Sequence, residues 1–236
     1  MSAKERLFTG LTGTNNYVPA MGYSANLVHG QPTAFSLGTP AVASATALSA
    51  NVGGANAVAL TFFPLSLTTD SPYGRVLRVD LSGVPGNAPV IEIQGVDYLG
   101  QPVAKRFTGS AAATTTTAGG AAAIKRVTGA KIITAATNAV TFSIGTTGIL
   151  GLPYKCNIGW AKEGTPPVFI DPAGIFAKWV KPVLVDPQSL TTGDPRGTYA
   201  PTTLDGVMET ILGLEGDNSV NAAGNGGLHG IKHFFA

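Results

Sequence analysis

Apolar and polar positions alternate with a period of two through the middle of the chain. In AVALTFF, Val58, Leu60 and Phe62 are separated by small or polar residues. In RVLRVDL, Leu77, Val79 and Leu81 share one face and Arg78 and Asp80 take the other. Ile91 and Ile93 oppose Glu92 and Gln94, and after DYLGQP the residues Val103, Lys105 and Phe107 form the next run. Val127 to Thr134, then Val140, Phe142 and Ile144, complete the series. Successive strand side chains point to opposite faces, so this alternation marks half-buried antiparallel strands. Residues 57–144 thus predict six strands and no helix, and the fold class expected is all-β, a β-sandwich or jelly-roll-like domain.

Turn formers divide the runs. TTDSPYG and SGVPGNAP break the chain, DYLGQP suits a hairpin loop of four or five residues, and AATNA joins the last two runs as a pair. The insert Ser110–Ala123 has no charge and no bulky side chain, which predicts a loop at the rim of the sheet. GTTGILG reads as a strand end turning into Leu152-Pro153, because it lacks the spacing of phosphate-binding glycine loops.

The two ends have no such period. Residues 1–56 mix turn formers with isolated large side chains, which fits neither a core segment nor a purely disordered tail. They are expected to form an extended N-terminal arm lying along a neighbouring subunit, with residues 57–212 as the β-sandwich domain and 213–236 as a C-terminal arm. Tyr17, Met21, Tyr23, Leu27 and Phe35 in the first arm, and Phe234 and Phe235 in the second, are the candidate interface residues. PPVFIDP and KPVLVDP are short runs bounded by proline, which confines them to sheet edges or strand starts. GIFAKWV suits a short strand or one helical turn. LDGVMETILGL has helical spacing at Leu204, Val207, Met208, Ile211 and Leu212, but its glycines leave helix and strand equally open.

Composition sharpens the picture at one point. Charged residues are only 12% of the 236, against about 25% in ordinary soluble domains, with 31 glycines and 16 prolines. Together with a mean hydropathy of +0.23, this is poor composition for a free monomer and favours a component whose surface is covered by partners. The net charge of +2 is too small to point to nucleic acid or an anionic membrane. No run of apolar residues is long enough for a spanning helix. MSAKERLFTG has charges with no apolar core after them, so synthesis and retention in a cytoplasm are expected.

Residues that carry chemistry elsewhere read here as structural. His229 and His233 stand four apart, but Gly230 takes the place of the metalloprotease glutamate and no further ligand is near in sequence. Cys156 lacks a local base and reads as a small buried hydrophobe. Asp171, Asp186 and Asp194 each precede proline, which suits turn initiation. Glu92 and Asp97 flank the hairpin and are candidates for a cation, without any recognised calcium loop. Lys105, Arg106, Lys125, Arg126 and Lys131 would form a basic strip if neighbouring strands align them, better suited to an acidic patch on a protein than to nucleic acid. No catalytic residue, cofactor or metal is expected.

IEIQGVDYLGQPVAKRFTGS, an Ala/Thr insert, and KRVTGAKIITAATNAVTFSIGTTGILGLP resemble a pattern of tailed-bacteriophage virion structural proteins. A strand ending in G-x-D leads to a second strand, a V-T-G-A-K-I-I-T strand follows, and a strand ending in Ile-Gly runs into Leu-Gly-Leu-Pro. GDPRGTYAPTTLDG is similar to a closing segment of such proteins, so the resemblance covers residues 75–206. Within that class the chain looks most like a capsid decoration, or cement, protein. The resemblance implies a non-enzymatic protein made in the bacterial host cytoplasm and placed on the capsid surface. It would bind the major capsid protein as a homo-oligomer, a dimer or trimer, and hold neighbouring subunits together. A tail-tube, head–tail joining or collar protein is the first alternative, and a glycan-binding surface module the second.

Overall fold

The central alternation is realised as strands. The computed structural model describes residues 33–52, 62–112, 116–153, 156–180 and 196–216. The strands are β1 (Thr33–Ser36), β2 (Ser44–Val52), β3 (Phe62–Thr68), β4 (Arg75–Ser82), β5 (Val90–Val96), β6 (Pro102–Thr108) and β7 (Thr116–Ile124). They continue with β8 (Arg126–Thr134), β9 (Thr141–Gly151), β10 (Cys156–Thr165) and β11 (Val168–Ile170). One helical turn, α1 (Ile175–Lys178), precedes β12 (Trp179–Val180), β13 (Thr198–Tyr199) and β14 (Glu209–Gly216). The chain is all-β.

Three sheets form. One runs β3-β8-β5-β6, and a second runs β12-β13-β9-β4-β7 with β2 also paired to β9. These two face each other across a core in which Leu77, Val79 and Leu81 of β4 meet Ile91 and Ile93 of β5, Phe107 of β6, Ile132 of β8 and Ile144 of β9. Each strand contributes its alternate positions, as the period of two requires. The third sheet, β1-β14-β10-β11, closes a second core with Phe35, Leu37, Leu212 and Leu214 against Leu150, Leu152, Tyr73 and Tyr199. β9 is long enough to serve both cores.

Several expectations change. The insert Ser110–Ala123 is not a plain rim loop, since β7 pairs with β4 along Arg75↔Ile124 to Asp80↔Thr116 and buries Ala122 and Ala123. Its sequence of small residues carries no readable period. β8 and β9 are not a hairpin pair: β8 lies between β3 and β5, and β9 beside β4 in the opposite sheet. AATNA is therefore a crossing between sheets.

The sheets also extend beyond the expected domain of residues 57–212. β1 and β2 belong to the sheets, and Gly213 to Gly216 complete β14. Phe35, expected at an interface, is 5% exposed and pairs in register with Leu212 inside the second core. The Leu204–Leu212 ambiguity resolves to a turn followed by a strand, because Asp205 Oδ1 accepts the N–H groups of Val207 and Met208 before β14 starts. The hairpin of β5 and β6 is as expected, paired from Val90↔Thr108 to Val96↔Pro102.

Candidate functional site

Three turn segments far apart in sequence converge on one buried polar junction. Asp97 opens the loop between β5 and β6, where its Oδ1 accepts the backbone N–H of Leu99 at 2.8 Å and of Gln101 at 2.9 Å. Its other oxygen accepts from Arg196 Nη1 at 2.8 Å, and both side chains are almost wholly buried. The guanidinium also sits 5.1 Å from the ring centroid of Tyr98. Tyr98 packs edge-on against Tyr73 and donates its hydroxyl to the carbonyl of Pro153. The G-x-D turn, the Gly-Leu-Pro corner and the Arg-Gly-Thr-Tyr segment that begins at Arg196 thus meet at one place.

The same closing segment reaches a second buried carboxylate three residues on. Tyr199 donates its hydroxyl to Glu163 Oε1 at 3.1 Å, and the N–H of Thr202 reaches Oε2 at 2.9 Å. Lys178 Nζ stands 3.6 Å from the same carboxylate and donates to Thr202 Oγ1. Burial, then the charge and hydrogen bond of Glu163, hold the Tyr199 phenol well above its ordinary range. Tyr73 is pushed up as well, mainly by burial and then by Tyr98. A third cluster surrounds Arg75, which is 1% exposed and donates to the carbonyls of Thr147 and Ala41 and to Asp70.

These clusters hold segments together. Each carboxylate oxygen of Asp97 and Glu163 is already satisfied by a group of the chain itself, as buried charge requires. Glu92 and Asp97 do not share a cation: Glu92 is engaged by Arg106 and Gln94, and Asp97 faces the junction. The basic strip does not form either. Lys105 is buried at 1% exposure, Arg106 pairs with Glu92, and Lys125 donates to the carbonyls of Thr69 and Ser71. Burial holds the Lys125 ammonium below its ordinary range, against the opposing pull of Asp70. Asp171 is exposed and pairs with Lys162. Among the described residues no group of three or more His, Cys, Asp or Glu is placed to hold a metal ion.

The candidate interface residues Tyr17, Met21, Tyr23, Leu27, Phe234 and Phe235 lie outside the described residues, as do the three histidines, KPVLVDP and the Cys156 side chain. What the fold does fix is where the two end segments join it. Thr33, the first residue of β1, pairs with Leu214, and Gly216, the last of β14, pairs with Cys156. Both ends therefore attach at the same end of the third sheet. At the other end lies the β10–β11 hairpin, beside exposed apolar side chains: Val168 at 69%, Ile170 at 60% and Phe176 at 66%. Sequence reasoning missed this surface, although the proline-bounded run PPVFIDP reads as a sheet edge or a strand start.

In the sequence Asp97 stands out as a hairpin residue and cation candidate, and Arg196 only as part of the GDPRGTYAPTTLDG segment; their meeting is a product of topology. The chain matches no protein-family model, no curated protein and no solved structure.

Proposed function

We propose that the chain is a structural virion protein that binds the outside of a bacteriophage capsid and stabilises contacts between major capsid subunits, without catalysis. The observation that carries this reading is the convergence of the three quoted motif segments on the Asp97–Arg196–Tyr98–Pro153 junction. Motifs that meet as a buried brace belong to a scaffold, so the resemblance they carry is one of framework. The low charged content and the two end segments leaving one end of a sheet support a scaffold that works through its arms and covered surfaces. Many copies bound by symmetry would add modest contacts into a large total. The role is mechanical reinforcement of the shell.

The copy number of the chain in purified particles tests the reading. A number comparable to the major capsid protein supports it, and removal of the chain should lower the temperature at which particles rupture. Six or twelve copies per particle would place the protein at the tail or collar. Hydrolysis of a bacterial polysaccharide by the isolated chain would overturn both structural readings.

A further inference from the structure

The third sheet ends on an edge that can pair with its own copy. β11 is bonded to β10 alone among the described residues, with Thr165 opposite Val168, Gly164 opposite Phe169 and Glu163 opposite Ile170. Facing residues of an antiparallel ladder alternate between hydrogen-bonded and non-bonded pairs. The two-residue turn Pro166-Pro167 closes on Thr165 and Val168 as a bonded pair, which makes Glu163 and Ile170 the next. The N–H and C=O of Phe169, between them, therefore point away from β10 to the open side. Val168 and Ile170 lie on the face that carries Glu163, and Lys178 of α1 stands 3.6 Å from Glu163, which sets α1 on that face too. From Thr165 to Ala177 the one charged residue is Asp171, and the stretch is largely exposed, including Val168, Ile170 and Phe176. Its apolar surface is on the order of 500 Å² per copy, more than the few hundred that soluble monomers ordinarily leave open. Two such patches reach about 1,000 Å², the lower end of specific interfaces.

We infer that the β11 strands of two copies pair antiparallel about a two-fold axis at Phe169, joining two four-stranded sheets into one continuous sheet. Phe169 of each copy then exchanges both backbone bonds with Phe169 of the other. Val168 of one copy faces Ile170 of the other as a close non-bonded pair, so the exposed side chains cover each other. Charge suits this arrangement. Asp171, already paired with Lys162 at 3.0 Å, comes opposite Pro167 of the second copy, so no like charges meet. The two Asp171 residues stand about 13 Å apart along the strand direction, beyond the screening length of about 8 Å at physiological salt. Any other strand partner would have to bring a free edge of its own, whereas a second copy brings this one. The contact is isologous and closes at two copies. It does not rest on the capsid reading and is measured in solution without particles, so the two fail separately.

Sedimentation velocity of the full-length chain, together with cysteine cross-linking, tests it. The wild-type chain is a dimer, and Val168→Asp with Ile170→Asp weakens association by at least about 30-fold, since the two-fold repeats each change. Should that variant lose its β-sheet circular dichroism, Val168→Ser with Ile170→Ser replaces it. Cross-linking reads the register. Under mild oxidation an equimolar mixture of Val168→Cys and Ile170→Cys chains cross-links, because facing Cα atoms of a non-bonded pair stand about 4.5 Å apart, within disulfide reach. Either variant alone stays at the background that Cys156 sets. A monomeric wild-type chain, an undiminished dimer in the edge variant, or a mixture that cross-links no more than its components overturns the inference.

Discussion

Arg196 and Asp97 meet at 2.8 Å with both side chains shut off from solvent, although 99 positions separate them in the chain. Loss of Arg196 leaves the Asp97 charge buried without this counter-ion, which costs about 3–5 kcal/mol. We therefore expect Arg196→Met to lower the urea midpoint strongly. Arg196→Lys should recover only part of the loss, since an ammonium keeps the charge but not the flat group over Tyr98. Combining Arg196→Met with Asp97→Leu should cost less than the two single changes added together, because no orphan charge remains. Strict additivity would show that the two residues act independently.

Strand β9 contains an internal contrast between two glycines. A Cβ on Gly145 would run into the backbone of β2, with Ala45 C and O both 2.5 Å away. A Cβ on Gly148 would meet only Leu204 Cδ1, at 3.4 Å. Gly145→Ala should therefore destabilise by about 1–3 kcal/mol through forced displacement of β2. Gly148→Ala should be neutral or slightly stabilising, because it removes backbone freedom from the unfolded chain. Thermal melts of the two variants side by side measure this difference, and equal melting temperatures would contradict it.

The sandwich was legible where one face of a strand is buried and the other is wet. Leu77, Val79 and Leu81 are buried while Arg78 and Asp80 are half-exposed, and that contrast is what period two records. β7 was illegible for the converse reason, since TTAGGAAAI offers no contrast to read. The spacing of Leu204 to Leu212 leaves helix and strand equally open because a turn and a strand in succession mimic helical spacing. The junction was beyond reach for a different reason. Asp97 stands beside a hairpin loop and Arg196 in a turn-rich segment, and only the order of strands brings the two together under cover; strand order is not written in local pattern.

Alkaline titration probes the two raised tyrosines. Unfolded tyrosine ionises near pH 10, whereas Tyr73 and Tyr199 hold their protons to higher pH in the folded chain. Above about pH 10 the unfolded chain thus binds fewer protons than the folded one, and stability falls as pH rises, by at most about 1.4 kcal/mol per pH unit for each tyrosine. Lys125, lowered mainly by burial, works in the opposite direction up to the ordinary lysine value of about 10.4, so the decline emerges above that point. Urea midpoints between pH 9 and 11.5 should show it, and Tyr199→Phe should reduce the slope. A flat wild-type profile across that range would contradict the assignment.

Where the N-terminal arm ends decides how the chain can be shortened. Phe35 and Leu37 sit in the second core at 5% and 0% exposure, and Leu37 N–H donates to the carbonyl of Thr210 at 2.8 Å. Deletion of residues 1–40 removes β1 whole, takes two large side chains from that core and uncovers the edge of β14. We expect that truncation to abolish cooperative unfolding of the third sheet, and Phe35→Ala alone to cost about 3–5 kcal/mol. Deletion of residues 1–32 stops before Thr33 and leaves every pairing of β1 in place. It should keep the melting temperature within about 3 °C, as expected when no buried contact of the described fold is lost. On the proposed capsid-binding role, the same truncation should still weaken attachment to particles. A chain lacking residues 1–32 that binds particles as tightly as the intact protein would move the binding surface from the arm to the sheets.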